Sequence, residues 1–285
     1  MRNKRALAAL IAAMSIFGTI GIFRQWIPLP SATVALGRSV IGALFLLLVL
    51  FTRRQKPDFS ALRRVWLPLL CSGICLGANW VLLFEAYRFT TVATATLCYY
   101  MAPMLLVLLS PVLLKERLTL RRVLALALAL AGMVPVSGIL EGQTAESNNT
   151  LGVLFGLGAA VLYATVVLLN KRITALPAVE KTFCQFTVSA AVLLPYMLLT
   201  EAPILTPPPA SGILLLLLVG VVHTGLAYFL YFGAICRLPA QTVAVYSYID
   251  PVLAVLLSGL FVAPLTLPTV VGAVMILGAA LLSDL

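Results

Sequence analysis

The sequence predicts an all-α integral membrane protein whose ten transmembrane helices form two inverted five-helix repeats. Three observations predict this fold: an apolar composition, long apolar runs separated by short basic segments, and a long match of the chain to itself. Of the 285 residues, 62% are hydrophobic and only 10% are charged. Soluble domains carry roughly 25% charged residues, so this composition indicates a chain that lies almost entirely in or at a bilayer.

Ten apolar runs are long enough to cross the hydrocarbon region, which needs about 20 apolar residues per helix. The connections between these runs are short, so we expect no separate soluble domain. The predicted spans are residues 6–23, 32–51, 66–87, 91–113, 122–140, 151–169, 179–200, 211–235, 240–262 and 265–283.

The basic residues predict the orientation of the helices. Most of the 19 lysines and arginines fall on one side of the membrane when the N-terminus is placed in the cytoplasm. Because cytoplasmic loops are enriched in Lys and Arg, we expect both termini in the cytoplasm of a multi-pass protein of the plasma (inner) membrane. The basic residues form no continuous stripe, so the net charge of +10 does not indicate nucleic-acid binding.

Residues 77–119 match residues 225–267 without a gap, and both copies contain a glycine, a tyrosine and a central proline at the same places. The match divides the chain into two five-helix halves, residues 1–141 and 142–285. Because five is an odd number, the second half crosses the membrane in the opposite sense to the first. Inverted repeats supply two similar states, one open to each side, and are a recurrent design of secondary transporters.

Pro103 and Pro251 each lie about halfway along a predicted helix. Proline removes a backbone donor and clashes with the carbonyl four residues earlier, here that of Tyr99 and of Ser247. Freed carbonyls are tolerated at membrane depth where they face protein or a wet cavity. We therefore predict hinges at both prolines, with a simple bend in a packed helix as the alternative.

The segments that carry the match read GANWVLLFEAYRFTTVATATLCYYMAPMLLVLLSPVLLKERLT in the first half and GLAYFLYFGAICRLPAQTVAVYSYIDPVLAVLLSGLFVAPLT in the second. With these segments, the chain resembles the EamA-type members of the drug/metabolite transporter superfamily over its full length. The resemblance implies a central cavity lined by helices 1, 3, 4, 6, 8 and 9, and transport of amino acids, amines, nucleotide-related metabolites or drugs, often outward. The sequence departs from a symmetrical pattern at Pro264, which stands where the first copy has Glu116.

Asp250 is the main candidate among the ionisable residues inside the predicted spans. A charge at mid-membrane costs on the order of 3 kcal/mol, so each such residue is a functional hypothesis. Asp250 adjoins Pro251 and shares a helical face with Ser247. Burial disfavours the charged form of a carboxylate, so we predict that Asp250 couples transport to protons or binds a substrate amine. A structural, protonated aspartate is the alternative.

Four other polar positions leave alternatives open. His223 and Asn79 are predicted at similar depth, where they are suited to bind a carboxylate or an amide. A helix-to-helix hydrogen bond is an equal alternative for the histidine. Glu85 lies three residues before Arg88, a spacing that permits an ion pair, and it is a candidate for charge relay, for gating or for structure. Arg38 is expected to extend outward or to pair with a carboxylate.

Aromatic residues at mid-depth complete the predicted binding site. Rings around a cavity favour flat, apolar or cationic solutes. The predicted aromatic contacts are Trp80, Tyr99, Tyr100, Tyr228 and Tyr248.

These features predict a secondary active transporter that exports amino acids or related small amine metabolites by alternating access. A proton is the candidate coupling ion, a homodimer is the candidate assembly, and no cofactor or metal is expected. The alternative substrates are quaternary or lipophilic cations, either drug-like or choline-like, moved in either direction. An integral membrane enzyme is a distant alternative, since the sequence lacks HExxH, GxSxG and a Cys/His ligand cluster. A receptor or scaffold would bind a partner and move no solute.

Overall fold

The computed structural model describes residues 4–52, 59–90, 92–136, 149–201, 208–261 and 266–284. These residues form helices joined by short connections, and no β-strand occurs among them. The prediction of an all-α protein is confirmed for the described part of the chain. The predicted boundary between the halves, at residues 141 and 142, lies outside the described residues.

Six helices occur among the described residues of the first half. Long apolar runs form α1 to α3, and the fourth predicted span is divided into α4 and α5. Their bounds are α1 Lys4–Gln25, α2 Ser31–Thr52, α3 Phe59–Phe89, α4 Val92–Tyr99, α5 Ala102–Leu114 and α6 Leu120–Val136.

Seven α-helices and one π-helical segment occur among the described residues of the second half. The segment lies between α9 and α10, which it joins without a break. The bounds are α7 Asn149–Arg172, α8 Ala178–Thr200, α9 Ala210–Leu218, the π-helical segment Val219–Leu226, α10 Ala227–Ile235, α11 Ala240–Tyr246, α12 Ile249–Phe261 and α13 Leu267–Asp284.

Seven helical stretches of the described residues are long and apolar enough to cross a membrane. They comprise α1, α2, α3, the pair α4 and α5, α7, α8, and the run from α9 to α10. A multi-pass membrane protein is therefore confirmed. The helices α6, α12 and α13 are apolar but shorter or interrupted, so ten crossings with both termini in the cytoplasm stay a prediction.

The two central prolines divide their helices, where the sequence predicted continuous ones. In the first half, α4 ends at Tyr99 and α5 begins at Ala102, with Pro103 in its first turn. In the second half, α11 ends at Tyr246 and α12 begins at Ile249, two residues before Pro251. Proline lacks the N–H that an unbroken helix needs and displaces the carbonyl four residues earlier, so each helix stops before it.

The backbone turns in the same way at both interruptions. The Met101 N–H donates to the Cys98 carbonyl at 3.1 Å, and the Tyr248 N–H donates to the Val245 carbonyl at 3.2 Å. Both are bonds to the third residue back rather than the fourth, which tightens the last turn of a helix. At the 148-residue offset that aligns the halves, the two interruptions therefore differ by one residue.

Helix packing is reciprocal between the halves. The first helix, α1, packs against α10 and α12 of the second half, whereas α7 of the second half packs against α3, α4 and α5 of the first. The helices α2 and α8 pack together, as do α6 and α13. Each half therefore buries its apolar faces largely against the other, and the two interrupted helices meet near the centre of the bundle.

Candidate functional site

A cavity of about 160 Å³ lies where the two interrupted helices meet. Its lining comes from both halves, and it contains one basic and one acidic side chain among apolar and aromatic ones. The lining residues are Met14, Phe17 and Ile20 of α1, Arg38 of α2, Tyr99, Tyr100, Ala102 and Pro103 around the first interruption, Tyr163 of α7, Tyr228 of α10, and Ser247 and Asp250 around the second interruption.

Asp250 is the acidic residue of this cavity and lies in the first turn of α12. The backbone of α1 approaches it closely at Gly18, where a Cβ atom would lie 2.7 Å from the Asp250 carbonyl oxygen. Within the described residues, the Asp250 carboxyl group makes no hydrogen bond or ion pair. The helix contact thus fixes the position of the residue while its carboxyl group is left available to a solute.

Arg38 is the basic residue of the cavity, and it belongs to the other half of the chain. Its Nε donates a hydrogen bond to Thr224 Oγ1 at 3.0 Å, and its guanidinium carbon lies 5.1 Å from the centroid of the Trp80 ring. A cation over the face of an aromatic ring is attracted by the ring quadrupole. The two terminal guanidinium nitrogens have no acceptor among the described residues, so they can donate to a bound group. Arg38 thus lines the cavity, where the sequence had suggested outward extension or a carboxylate partner.

The π-helical segment explains how Thr224 reaches Arg38. The helix α2 comes so close to this segment that a Cβ atom at Gly220 would lie 2.5 Å from Ile41 and one at Gly225 would lie 2.5 Å from Phe45. The wider turn of the segment lets the Thr224 hydroxyl donate to the Val219 carbonyl at 3.2 Å while it accepts from Arg38. Single π-helical turns inside α-helices are frequent at functional sites.

Three of the predicted aromatic contacts, Tyr99, Tyr100 and Tyr228, line the cavity. Two further rings join them. The Phe17 ring lies 4.8 Å from that of Tyr228, and the Tyr163 ring lies 5.6 Å from that of Tyr99, measured between centroids. These edge-on and tilted arrangements are the favourable ones for aromatic pairs. The cavity therefore has aromatic surfaces from four helical segments around its two charges.

The other predicted contact residues lie outside the lining and join helices to one another. Asn79 Nδ2 donates to the Ala159 carbonyl at 2.6 Å, and the Tyr248 hydroxyl donates to the Tyr100 carbonyl at 3.0 Å. Trp80 packs against the Arg38 guanidinium group, and its ring centroid is 6.3 Å from that of Tyr228. These contacts join helices around the cavity, and a direct contact of any of these residues with substrate stays a prediction.

His223 lies in the π-helical segment, and its Nε2 is 2.7 Å from Thr19 Oγ1. Since the Thr19 hydroxyl donates its own proton to the Ile16 carbonyl at 2.7 Å, Nε2 is the donor of the histidine–threonine bond. Nδ1 of His223 is buried and has no partner among the described residues. The helix-to-helix hydrogen bond that was one of the two alternatives for this histidine is thus present, between α1 and the π-helical segment.

Glu85 lies near the end of α3 and outside the cavity lining. It forms an ion pair with Arg88 at 2.9 Å and accepts a hydrogen bond from the Tyr196 hydroxyl at 2.7 Å. The three-residue spacing had permitted this ion pair, and the bond to Tyr196 attaches α3 to α8. Nothing in this arrangement connects Glu85 to Asp250, so its role in charge relay stays a prediction.

The two prolines differ in their relation to the cavity. Pro103 is one of the lining residues, whereas Pro251 is buried beside Asp250 and does not reach the lining. Both end the helix before them. Their role as hinges stays a prediction.

A second polar cluster joins the halves at the end of the bundle where α5 ends and α11 begins. Glu116 forms an ion pair with Lys171 at 3.2 Å and accepts a hydrogen bond from the Ala240 backbone N–H at 2.7 Å. Lys171 Nζ also donates to the Leu238 carbonyl. A carboxylate at a helix N-terminus is favoured by the helix dipole. One side chain of the first half thus connects α7 and α11 of the second, where the sequence of the other copy has Pro264.

The fold and the cavity define a multi-pass helical membrane protein with a small internal cavity that is lined by opposite charges and aromatic rings. Residues 4–138 and residues 150–283 each match the EamA-like transporter family. The chain therefore belongs to the EamA-like transporter family, within the drug/metabolite transporter superfamily.

Relatives in bacteria and archaea are similar over most of their length. The chain is 28% identical over 260 residues to the uncharacterized transporter YxxF of Bacillus subtilis (strain 168). The alignment covers 91% of this chain and 83% of YxxF. It is 27% identical to an uncharacterized transporter of Archaeoglobus fulgidus over 97% of this chain and 95% of the relative. It is 26% identical to the protein RarD of Salmonella typhi over 91% of this chain and 87% of RarD.

One solved crystal structure superposes on the whole chain. The TM-score is 0.86, and the superposition covers 100% of this chain and 99% of the other at 23% sequence identity. At that identity, the likeness shows the fold and nothing about the substrate.

Proposed function

We propose that this protein is a secondary active transporter of zwitterionic amino acids that works by alternating access. The observation that carries the proposal is that Arg38 and Asp250, one from each half, line the same small cavity without pairing with each other among the described residues. Their charges match the carboxylate and the ammonium group of an amino acid.

The energetic argument starts from the cost of charge in the bilayer. An ionisable side chain at membrane depth is expensive unless it is paired or hydrated, so two unpaired opposite charges in one cavity favour a ligand that pairs with both. The two free guanidinium nitrogens of Arg38 suit bidentate binding of a carboxylate. The Asp250 carboxyl group, with no partner of its own in the described chain, suits an ammonium group.

The size and the lining of the cavity favour a small solute. A volume of about 160 Å³ lies below the range of roughly 300–1,000 Å³ that is typical of pockets for drug-sized ligands. The apolar side chains of Met14, Phe17 and Ile20 surround the space with aromatic rings on the other sides. This environment favours an amino acid with an uncharged side chain.

Alternating access would use the two interrupted helices. Because α4–α5 and α11–α12 are broken at nearly matching places, each half can swing about its break and open one end of the cavity at a time. The Glu116–Lys171 ion pair would hold one end closed and separate in the other state. We assign the end of the bundle that contains Lys171 to the cytoplasm, because most of the basic residues lie at that end and cytoplasmic segments are enriched in Lys and Arg. With ten crossings of the plasma membrane, both termini would lie on the same side.

We propose Asp250 as the coupling residue and export as the direction. A carboxyl group that binds a proton in one state and a substrate ammonium in the other exchanges the two across the membrane. An inward proton gradient would then drive the amino acid outward.

Quaternary or lipophilic cations are the second candidate substrates. The arrangement of Asp250 among Tyr99, Tyr100 and Tyr228 favours them, since a cation is attracted both to a carboxylate and to ring faces. The positive charge of Arg38 in the same cavity opposes them, which is why we rank them second.

The proposal is tested with purified protein in liposomes and a matched set of solutes. Leucine carries both charges, isopentylamine carries only the ammonium group, and 4-methylpentanoate carries only the carboxylate, on the same hydrocarbon skeleton. We expect flux of leucine that depends on a proton gradient and far less flux of the two singly charged solutes. Equal or greater flux of isopentylamine or of a quaternary amine would support the second candidate. Absence of flux for all of them, in either direction, would contradict a transporter of these solutes.

A further inference from the structure

A second cavity, of about 350 Å³, lies between α1, α8 and α10 at the end of the bundle where α1 begins. It is separate from the central cavity, with which it shares no lining residue. Its lining combines two arginines with an apolar surface, and none of the lining residues is acidic.

Arg5 and Arg237 supply the charge of this cavity. Both side chains are exposed, and neither guanidinium group has a hydrogen-bond or ion-pair partner among the residues that the structure describes. The N-terminus of α8 adds to the positive potential, because Pro177 precedes it without a side-chain cap and Ala178 and Val179 line the cavity. Glu180, the acidic residue of that turn, is buried with an interaction of its own and is not part of the lining.

The difference between the two halves explains why this cavity exists. In the self-match of the chain, Gly233 stands at the position of Glu85, and Arg237 stands at the position of Phe89. In the first half, the Glu85 side chain is held by Arg88 and Tyr196. In the second half, Gly233 leaves that space empty, and an added Cβ atom would meet only the Ala178 Cβ at 3.5 Å.

The apolar part of the lining identifies the kind of ligand. Phe229 and Leu230 of α10 are partly exposed and continue the cavity along the outside of the helix, next to the two arginines. Basic pockets between transmembrane helices at the cytoplasmic boundary bind anionic lipid headgroups. We propose that this cavity binds an anionic phospholipid, with its phosphate between Arg5, Arg237 and the N-terminus of α8 and its acyl chain against Phe229 and Leu230.

The experiment measures thermal unfolding of the purified full chain in neutral detergent. Phosphatidylglycerol is added in mixed micelles, and phosphatidylcholine, glycerol phosphate and inorganic phosphate are added in separate arms. The variants are the double substitution Arg5→Gln and Arg237→Gln, and Gly233→Leu, which fills the cavity. The control is the double substitution Arg63→Gln and Arg64→Gln, which removes the same charge from exposed positions of α3.

We expect phosphatidylglycerol to raise the melting temperature of the wild type and of the control by several degrees, and phosphatidylcholine to raise it much less. The apparent affinity for phosphatidylglycerol should fall roughly fivefold to tenfold for each arginine removed. Gly233→Leu should abolish the effect while the variant still unfolds cooperatively.

Four results would overturn the proposal. An equal response to phosphatidylcholine would show no headgroup recognition. An equal response of the wild type and the arginine double variant would place any bound lipid elsewhere. A full effect of glycerol phosphate or inorganic phosphate alone would show a site for a free anion. A lipid response that is unchanged in Gly233→Leu, which fills the cavity, would also place the bound lipid elsewhere.

Discussion

Thr224 holds Arg38 in the cavity, through a 3.0 Å hydrogen bond from the guanidinium Nε to the threonine hydroxyl. The π-helical segment places that hydroxyl, and the close approach of α2 at Gly220 and Gly225 keeps the two residues in register. The bond occupies the inner nitrogen of the guanidinium group, and the other two nitrogens have no acceptor among the described residues. The residue that we assign to carboxylate binding therefore depends on a neighbour that does not touch the solute.

Replacing Thr224 tests this dependence. In Thr224→Val the shape is nearly kept but the acceptor is lost, so Arg38 is less well oriented and the KM for leucine should rise about fivefold to tenfold. Maximal flux should change little. In Thr224→Ser, which restores the hydroxyl, the KM should return toward the wild-type value. If Thr224→Val and the wild type have the same KM for leucine, the hydrogen bond has no part in binding.

Asp250→Asn tests the coupling role. The amide cannot exchange a proton, so leucine flux driven by a proton gradient should be lost. Exchange of labelled for unlabelled leucine at equal concentrations should persist, although with weaker affinity. Gradient-driven flux that is unchanged in Asp250→Asn would exclude this residue as the coupling site.

The substitutions Pro103→Ala and Pro251→Ala test the hinges. Alanine restores the backbone donor, so each helix can continue through its break, and bending there becomes more costly. We expect at least a tenfold lower turnover in each variant with similar affinity for leucine, measured by flux and by equilibrium binding. Pro68→Ala, a proline within α3 and outside the cavity lining, serves as the control. Normal turnover in both test variants would mean that the prolines only shape a packed helix.

Asn79→Ala separates a structural role from substrate contact. The Asn79 amide is buried and bonds the Ala159 carbonyl, so its loss should destabilise the protein by about 1–3 kcal/mol. Because Asn79 does not line the cavity, the preference for leucine over isopentylamine should be unchanged. Thermal unfolding and relative flux measure the two effects. If Asn79→Ala has normal stability but a changed preference between leucine and isopentylamine, Asn79 contacts the substrate.

The long apolar helices follow from the sequence because bilayer thickness determines the length of an apolar run. The two central prolines marked where a hinge or bend was expected, but the sequence predicted continuous helices there and the structure has breaks. The breaks after Tyr99 and after Tyr246 differ by one residue in the alignment of the two halves. The rotation of each helix about its own axis does not follow from the sequence in this way. A bilayer accepts apolar residues on every face of a helix, so the hydropathy of a run does not show which side faces inward.

For this reason the sequence identified the cavity only in part. Asp250, Tyr99, Tyr100 and Tyr228 line it. His223 and Asn79 lie within helices and bond a neighbouring helix, and Tyr248 lies in the break between α11 and α12 and bonds the Tyr100 carbonyl. The sequence identified Arg38 as an ionisable residue inside a predicted span. The position of its side chain in the cavity depends on the hydrogen bond to Thr224, which belongs to the other half of the chain. Phe17 and Tyr163 carried no sequence signal beyond being aromatic.

The most direct test compares the fluxes of leucine and isopentylamine in the wild type and in Arg38→Gln. Both solutes share the ammonium group that Asp250 would bind, and they differ in the carboxylate that Arg38 would bind. We expect the wild type to favour leucine, and Arg38→Gln to reduce the leucine-to-isopentylamine ratio of kcat/KM by about 10- to 100-fold, the worth of a charge-assisted hydrogen-bond pair. A ratio that is the same in both proteins would contradict the account of Arg38 and Asp250 as a zwitterion site.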